Sequence, residues 1–342
     1  MIQNFYILGM GRSGTTLLQS ILDAHTSIVV PPESYFVIHL DNKYKNKTVW
    51  DDTLIERFID DLYTDRPFRL VWRIPREDVY EAFEAARPIQ NFEQACNAVR
   101  SSFKRSYKTK EISCFGDKKP IYAAFPQRVM KVSPTAKIIH MVRDPRGTAN
   151  GQIATFKRGD ALAIGYMWKR YNNAIRNLKT KYPEQYFFLK YEDLISDTEK
   201  TMRAICDFLE LDFQPELLEY RKQTTKRYDQ YTEVFKDKHR SLLKPIDIKI
   251  AEKWKTNLNS THRKQVEYAT HELANEFGYE FEKPDTTPAL LLKIPLSKFK
   301  MNLSITVIKT YFGLPFFIRK SILYVRSRLS DHKYWPEQGQ EQ

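Results

Sequence analysis

The feature that most constrains this chain is a glycine-rich turn, Gly9-Met10-Gly11-Arg12-Ser13-Gly14-Thr15-Thr16, set between the short apolar run Phe5 to Leu8 and an amphipathic stretch from Thr16 to His25. A strand that turns through glycines into a helix makes an anion site, because free backbone N–H groups and the positive helix end converge on one spot. Gly9 and Gly14 keep the spacing of the triphosphate-binding loop, but Thr15 stands where that loop needs a lysine for the β and γ phosphates. The basic residue is instead Arg12, inside the turn. This argues against ATP hydrolysis and for a shorter, diphosphate-like group whose bridging oxygen Arg12 touches.

Beyond the turn, short apolar runs alternate with longer amphipathic stretches, the pattern of strands and crossover helices in an α/β layer fold. The candidate strands are Phe5 to Leu8, Ile28 to Val30, Ile112 to Phe115, Ile138 to Val142 and Tyr186 to Leu189. Met167, Tyr171, Ile175, Leu178 and Tyr182 recur at helical spacing, and Ser196 followed by Glu199 reads as a capping box. In open α/β sheets ligands sit beyond the carboxyl ends of the strands. The turn, Glu33, Lys118, Arg143 and Tyr191 each follow a candidate strand within a few residues, so they are expected at one edge. Residues 41–110 are polar, aromatic and helical in pattern, an insertion between early strands.

At 342 residues and 42% hydrophobic, the chain can bury a sizeable core, as one large domain or a domain with an appendage. A net charge of +13 points to anionic ligands or surfaces without choosing among nucleotide, polyanion, nucleic acid and membrane. Much of it sits late: residues 293–333 hold nine Lys or Arg and one Asp, after Pro284, Pro288 and Pro295 mark a linker. Cys96, Cys114 and Cys206 show neither a pairing nor a metal-ligand spacing, so no metal is expected and a reducing compartment fits. With no signal segment and no apolar run of about 18 residues, the expectation is a cytoplasmic protein, peripheral to the membrane at its C-terminal end.

Ile7 to Glu33 closely resembles the 5′-phosphosulfate loop and following strand of sulfotransferases that use 3′-phosphoadenosine 5′-phosphosulfate (PAPS), especially the tyrosylprotein branch and its bacterial relatives. The likeness continues through Gly116 to Pro120, Met141 to Arg146, Lys190 to Leu194, Lys244-Pro245 and Lys253-Trp254. It implies a P-loop-type three-layer fold: a central, mostly parallel sheet flanked by helices, with a C-terminal helical extension. Residues 1–284 would be the sulfotransferase domain; the likeness leaves unmatched the insertion 41–110, read from its pattern as an acceptor wall, and residues 285–342, read as a basic amphipathic extension.

The same resemblance implies roles. Sulfuryl transfer to a hydroxyl needs a base and cations for the leaving oxygen. Glu33 matches the family's catalytic glutamate, and Arg12 and Lys118 would stabilise the sulfonate and bridging oxygen. Gly11, the Ser13 and Gly14 N–H groups, Thr15 and Thr16 would hold the 5′-phosphate, Arg143 the 3′-phosphate, and Tyr191 and Lys253 the nucleotide. Two positions depart from the pattern. Gly151 stands where a serine usually shares the 3′-phosphate, leaving a backbone N–H, Asn150, Lys157 or Arg158 to replace it, and Thr155 stands where tyrosylprotein enzymes add an arginine.

The expected acceptor is a hydroxyl on a glycan or glycolipid, with protein tyrosine or a small molecule as alternatives. A nucleotide phosphotransferase and a non-catalytic polyanion binder are the competing classes, and no nucleic-acid partner is expected. Arg66, Arg69, Arg73 and Arg76, interleaved with Phe68, Leu70 and Trp72, read as a saccharide surface or a solvated face. Leu303 to Val325 reads as a membrane-contacting segment or a helix packed back on the domain.

Overall fold

The computed structural model describes residues 2–103, 111–157, 159–228, 240–281, 284 and 286–323. Arg158, Asp285 and residues 324–342 lie outside them. The chain divides into two compact units: Met1–Val30, Lys110–Tyr220 and Pro245–Ile308 form the first, and Pro31–Thr109, Arg221–Lys244 and Lys309–Gln342 the second.

The first unit is built on five parallel strands, β1 (Gln3–Leu8), β2 (Ile28–Val29), β3 (Cys114–Lys118), β4 (Lys137–Val142) and β5 (Tyr186–Lys190), in the order β2-β3-β1-β4-β5. All five expected strands are present. Phe5 to Leu8 on β1 and Ile138 to Val142 on β4 are buried along their whole length, because helices cover both faces of the sheet and no alternation is needed. Edge strand β5 is half-exposed and correspondingly shows Phe188 to solvent.

Register decides where the chemistry goes. Ile7 lies beside Lys118, Leu8 beside His140 and Val142 beside Lys190, so β1, β3, β4 and β5 all end at the same edge. The glycine turn follows β1, Lys118 ends β3, Arg143 follows β4 and Tyr191 follows β5.

Of the helices, α1 (Thr15–Leu22) stops three residues short of the expected end, and the Asp23 carboxylate there accepts from the Val30 N–H at 2.7 Å. In the second unit, α2 (Phe36–Tyr44) begins before the expected insertion and runs into it, and the insertion goes on to form α3 (Asp52–Leu62), α4 (Arg76–Ala85) and α5 (Phe92–Ser101). The first unit adds α6 (Pro126–Val132), α7 (Pro145–Phe156) and α8 (Ala161–Arg176). Tyr171, Ile175 and Leu178 are buried as the periodicity required, although Leu178 starts a separate turn and Tyr182 lies past it. The capping box at Ser196 is corrected. Ser196 closes the helix Tyr191–Ser196, so Asp197 caps the next one, accepting from the Lys200 N–H at 3.0 Å.

Candidate functional site

The turn after β1 is shaped by two left-handed residues, Arg12 at φ 74° and Gly14 at φ 89°. Gly14 is required twice over: its φ suits only glycine without strain, and a β-carbon would lie 2.3 Å from Tyr191 Cδ2. Gly14 caps α1 with no side-chain bond, so the first turn's N–H groups keep their outward direction. The Ser13 N–H turns inward to the Met10 carbonyl at 3.2 Å. Among the described residues, the N–H groups of Gly14, Thr15 and Thr16 have no backbone acceptor, and the buried Ser13 hydroxyl has no partner.

Three cations gather on this turn within the first unit. The Arg143 guanidinium lies 4.4 Å from the centre of the Tyr191 ring and donates to the carbonyls of Arg12 at 3.3 Å and Ile250 at 3.0 Å. Its buried Nε has no partner among the described residues. Lys118, buried, donates to Thr16 Oγ1 at 3.1 Å, joining the end of β3 to the first turn of α1. Burial, then the charge of Arg143, holds the Arg12 guanidinium below its ordinary pKa, with Tyr191 opposing. Among the described residues neither Arg12 nor Arg143 forms an ion pair with a carboxylate. Two arginines without a carboxylate counter-ion, Arg12 exposed and Arg143 half-buried, facing N–H groups with no backbone acceptor, make a site for an anion with more than one negative charge.

Helix α7 braces the turn from the side. A β-carbon on Gly151 would sit 3.0 Å from Arg12 Cβ and 3.4 Å from Arg12 Nε, so the absent side chain makes room for Arg12 to lie across α7. Gln152 donates to the Gly11 carbonyl at 2.7 Å. Neither role is visible in the sequence, since both depend on α7 passing beside the turn.

The rest of the Arg143 to Arg146 run is scaffolding. Asp144 caps α7 through the Arg146 N–H at 2.7 Å. Arg146 pairs with Asp144 at 2.6 Å and Glu267 at 3.3 Å, and stacks 4.0 Å from the Trp254 ring. Glu192 accepts from the Asp144 N–H and the Tyr279 hydroxyl. Trp168 Nε1 donates to the Arg143 carbonyl at 3.0 Å and thereby fixes the backbone behind the guanidinium. Lys253 is exposed, and its backbone carbonyl caps the Asn257 N–H at 3.0 Å; the backbone of Ile250, three residues earlier, is what meets Arg143. Thr155 and Lys157 are exposed at the end of α7, and Asn150 is half-buried.

In the second unit, Glu33 is half-buried on the segment that follows β2. That segment is held at both ends. Trp72 Nε1 donates to the Pro32 carbonyl at 2.8 Å, and the buried Asp65 carboxylate accepts from the Tyr35 N–H at 2.8 Å and the Phe68 N–H at 2.9 Å. Asp65 gave no sign of this in the sequence, because it acts only once the two segments lie together. Phe68 and Trp72 are core residues packed on Phe36, on a wide helical turn, Phe68–Trp72. Arg76 pairs with Asp60 at 2.6 Å, which leaves Arg69 and Arg73 as the exposed cations of that run.

A family model described as the Sulfotransferase family matches residues 4–215. Protein-tyrosine sulfotransferase 1 of Danio rerio is 24% identical over 260 residues, 73% of this chain and 64% of that protein. The chain spans 27% and 64% of the lengths of two curated relatives that it matches. Among solved structures, the sulfotransferase domain from the curacin biosynthetic pathway aligns with a TM-score of 0.53 at 21% identity, over 82% of this chain and 99% of that one. The sulfotransferase domain from the Synechococcus PCC 7002 olefin synthase aligns with a TM-score of 0.52 at 22% identity, over 82% and 96%. These two share the fold. With β1 to β5 and the whole cation-lined turn inside the matched span, the chain belongs to the sulfotransferase family.

Proposed function

We propose that this sulfotransferase uses PAPS and transfers its sulfuryl group to a hydroxyl on a glycan or glycolipid. The observation that carries the donor is the meeting of Arg12, Arg143 and Lys118 on a turn with outward N–H groups and no carboxylate counter-charge on either arginine among the described residues. The Gly14, Thr15 and Thr16 N–H groups hold the 5′-phosphate, with Ser13 Oγ beside them. Arg143 and the N-terminal half of α7 take the 3′-phosphate. Tyr191 stays packed on Gly14 and keeps the turn from collapsing. When bound, PAPS supplies an activated sulfuryl group on a phosphate leaving group. Arg12 and Lys118 offset the charge that develops on the leaving oxygen, and Glu33, assigned by its match to the family's glutamate, takes the acceptor's proton.

The acceptor is assigned more coarsely. Residues 41–110 are read as its wall, with exposed Arg69 and Arg73 favouring an acidic saccharide. Calorimetric titration tests the donor: adenosine 3′,5′-bisphosphate should bind tightly and ATP weakly, and the reverse order would make the chain a phosphotransferase. A screen with labelled PAPS over glycans, glycolipids, tyrosine peptides and phenols tests the acceptor. Labelling confined to tyrosine peptides would replace the saccharide reading.

A further inference from the structure

The long helix Pro288–Gly313 has two opposed apolar faces, and among the described residues only one of them is packed. The inner face carries Leu290, Ser297, Met301 and Ile305, all buried. Leu290 sits with Leu162 and Ala269. Polar contacts fasten the same helix: the Ser297 hydroxyl and the Lys300 ammonium both donate to Asp160, at 3.0 and 3.1 Å, and Arg170 donates to Asn302 at 2.7 Å. The outer face carries Leu292, Leu296, Phe299, Leu303 and Val307, whose exposures are 82%, 57%, 62%, 51% and 58%.

Intervals of four, three, four and four residues place those five side chains on one line. At about 100° per residue they occupy an arc of roughly 80°, about 160° from the buried seam, and run for about 22 Å along the axis. Exposed apolar residues scattered singly need no explanation, but a continuous line of five large ones does. The same wheel puts Lys293 and Lys300 on one flank of the line, Lys300 tied to Asp160, and sets Lys298 and Lys309 farther round, beside the buried seam. Residues 286–323 contain no Asp or Glu.

Charge selects the occupant. A second copy of this chain, meeting the first stripe to stripe, would bring together two basic helices that carry no acidic residue to offset their charge. No single helix among the described residues is long and apolar enough to cross a bilayer; Pro288–Gly313 passes that test only together with Phe316–Leu323, across a 112° bend. An apolar line on a basic helix, with Lys293 at its margin and no acidic residue in 286–323, instead matches the interface of an anionic membrane, where the apolar side chains enter the acyl boundary and the lysines reach up to the headgroups. We propose that the Pro288–Gly313 helix docks the protein on the surface of an anionic lipid bilayer through Leu292, Leu296, Phe299, Leu303 and Val307. This places the contact earlier than residues 303–325. In the second unit Arg319 is withdrawn from such a role, fully buried and donating to His39 Nδ1 at 3.1 Å and the Leu314 carbonyl at 3.0 Å.

The test is flotation of the full-length chain with two vesicle types, phosphatidylcholine alone and phosphatidylcholine with phosphatidylglycerol. The protein should float with the anionic vesicles and stay down with the neutral ones. A Leu296→Glu, Phe299→Glu, Leu303→Glu variant should lose about tenfold or more in partition, because all three side chains lie exposed on the stripe. A Lys293→Gln, Lys298→Gln, Lys309→Gln variant leaves the apolar line intact and should bind more weakly with a flatter salt dependence. Thermal melts of both variants should match the parent. Failure of the parent to float with anionic vesicles, equal flotation on both vesicle types, or undiminished flotation of the triple glutamate variant would overturn the proposal. So would a parent dimer that the glutamate variant splits into monomers, since the stripe would then be a protein interface.

Discussion

Gly151 makes room for Arg12: a β-carbon at 151 would come within 3.0 Å of Arg12 Cβ. The glycine at 151 therefore seats Arg12, the arginine of the glycine turn, against α7. A small addition is absorbed by the flexible arginine, and a branched one is not. Gly151→Ala should cost less than about tenfold in kcat/KM, while Gly151→Val, by displacing Arg12, should cost about a hundredfold. Steady-state kinetics with PAPS and the best acceptor decide this. Equal effects of the two substitutions would show that Arg12 is not seated by Gly151.

Gly14 carries a heavier constraint because backbone and neighbour both exclude a side chain. Gly14→Ala adds left-handed strain and a clash with the Tyr191 ring, and should destabilise the first unit by about 2–4 kcal/mol. Urea unfolding measures it. A loss below about 1 kcal/mol would mean that Tyr191 yields.

Binding and turnover should separate between Arg143 and Glu33. Arg143→Ala should weaken adenosine 3′,5′-bisphosphate by about tenfold to a hundredfold, the range for losing a charged hydrogen-bond donor. Glu33→Gln should leave that affinity unchanged and lower transfer by about a hundredfold to ten-thousandfold, as expected of a missing base. Retained turnover in Glu33→Gln would remove Glu33 from the chemistry.

The second unit should be acid-labile through His39. Arginine can only donate, so His39 Nδ1 accepts from Arg319 and the Nε2–H donates to Thr64 Oγ1 at 3.1 Å, fixing a neutral ring. Burial, then the Arg319 charge, pushes its pKa down to about 3. The unfolded imidazole takes up a proton as pH falls below about 6.5 and the folded one does not. Stability is therefore full above that value and should drop by about 2 kcal/mol by pH 5. His140 in the first unit, pushed down to about 4 by burial, adds a similar loss. Denaturant midpoints between pH 7.5 and 5 should fall less steeply in His39→Gln than in the parent; identical slopes would contradict the neutral ring.

All five strands could be read from the chain because each is a short apolar run that must be buried on both faces. Parallel strands all leave at one edge, so the grouping of the glycine turn, Lys118, Arg143 and Tyr191 followed without coordinates. What could not be read depends on segments distant in sequence coming together. Gln152 reaches Gly11 only because α7 lies beside the turn, and Asp65 links Tyr35 to Phe68 only inside the folded insertion. Ser196 carried the right spacing for a cap but already belonged to the preceding helix, a conflict that local pattern does not register.

The bond from Arg143 to the Ile250 carbonyl sets a lower limit on the length of a working catalytic fragment. The family match ends at residue 215, yet Ile250, Trp254 and Glu267, which orient Arg143 and Arg146, all come after it. A fragment cut at the edge of the recognisable motif would keep the complete sheet and the complete glycine turn. It would still lose the backing that aims both arginines, because the Ile250 carbonyl, the Trp254 ring and the Glu267 carboxylate would all be gone.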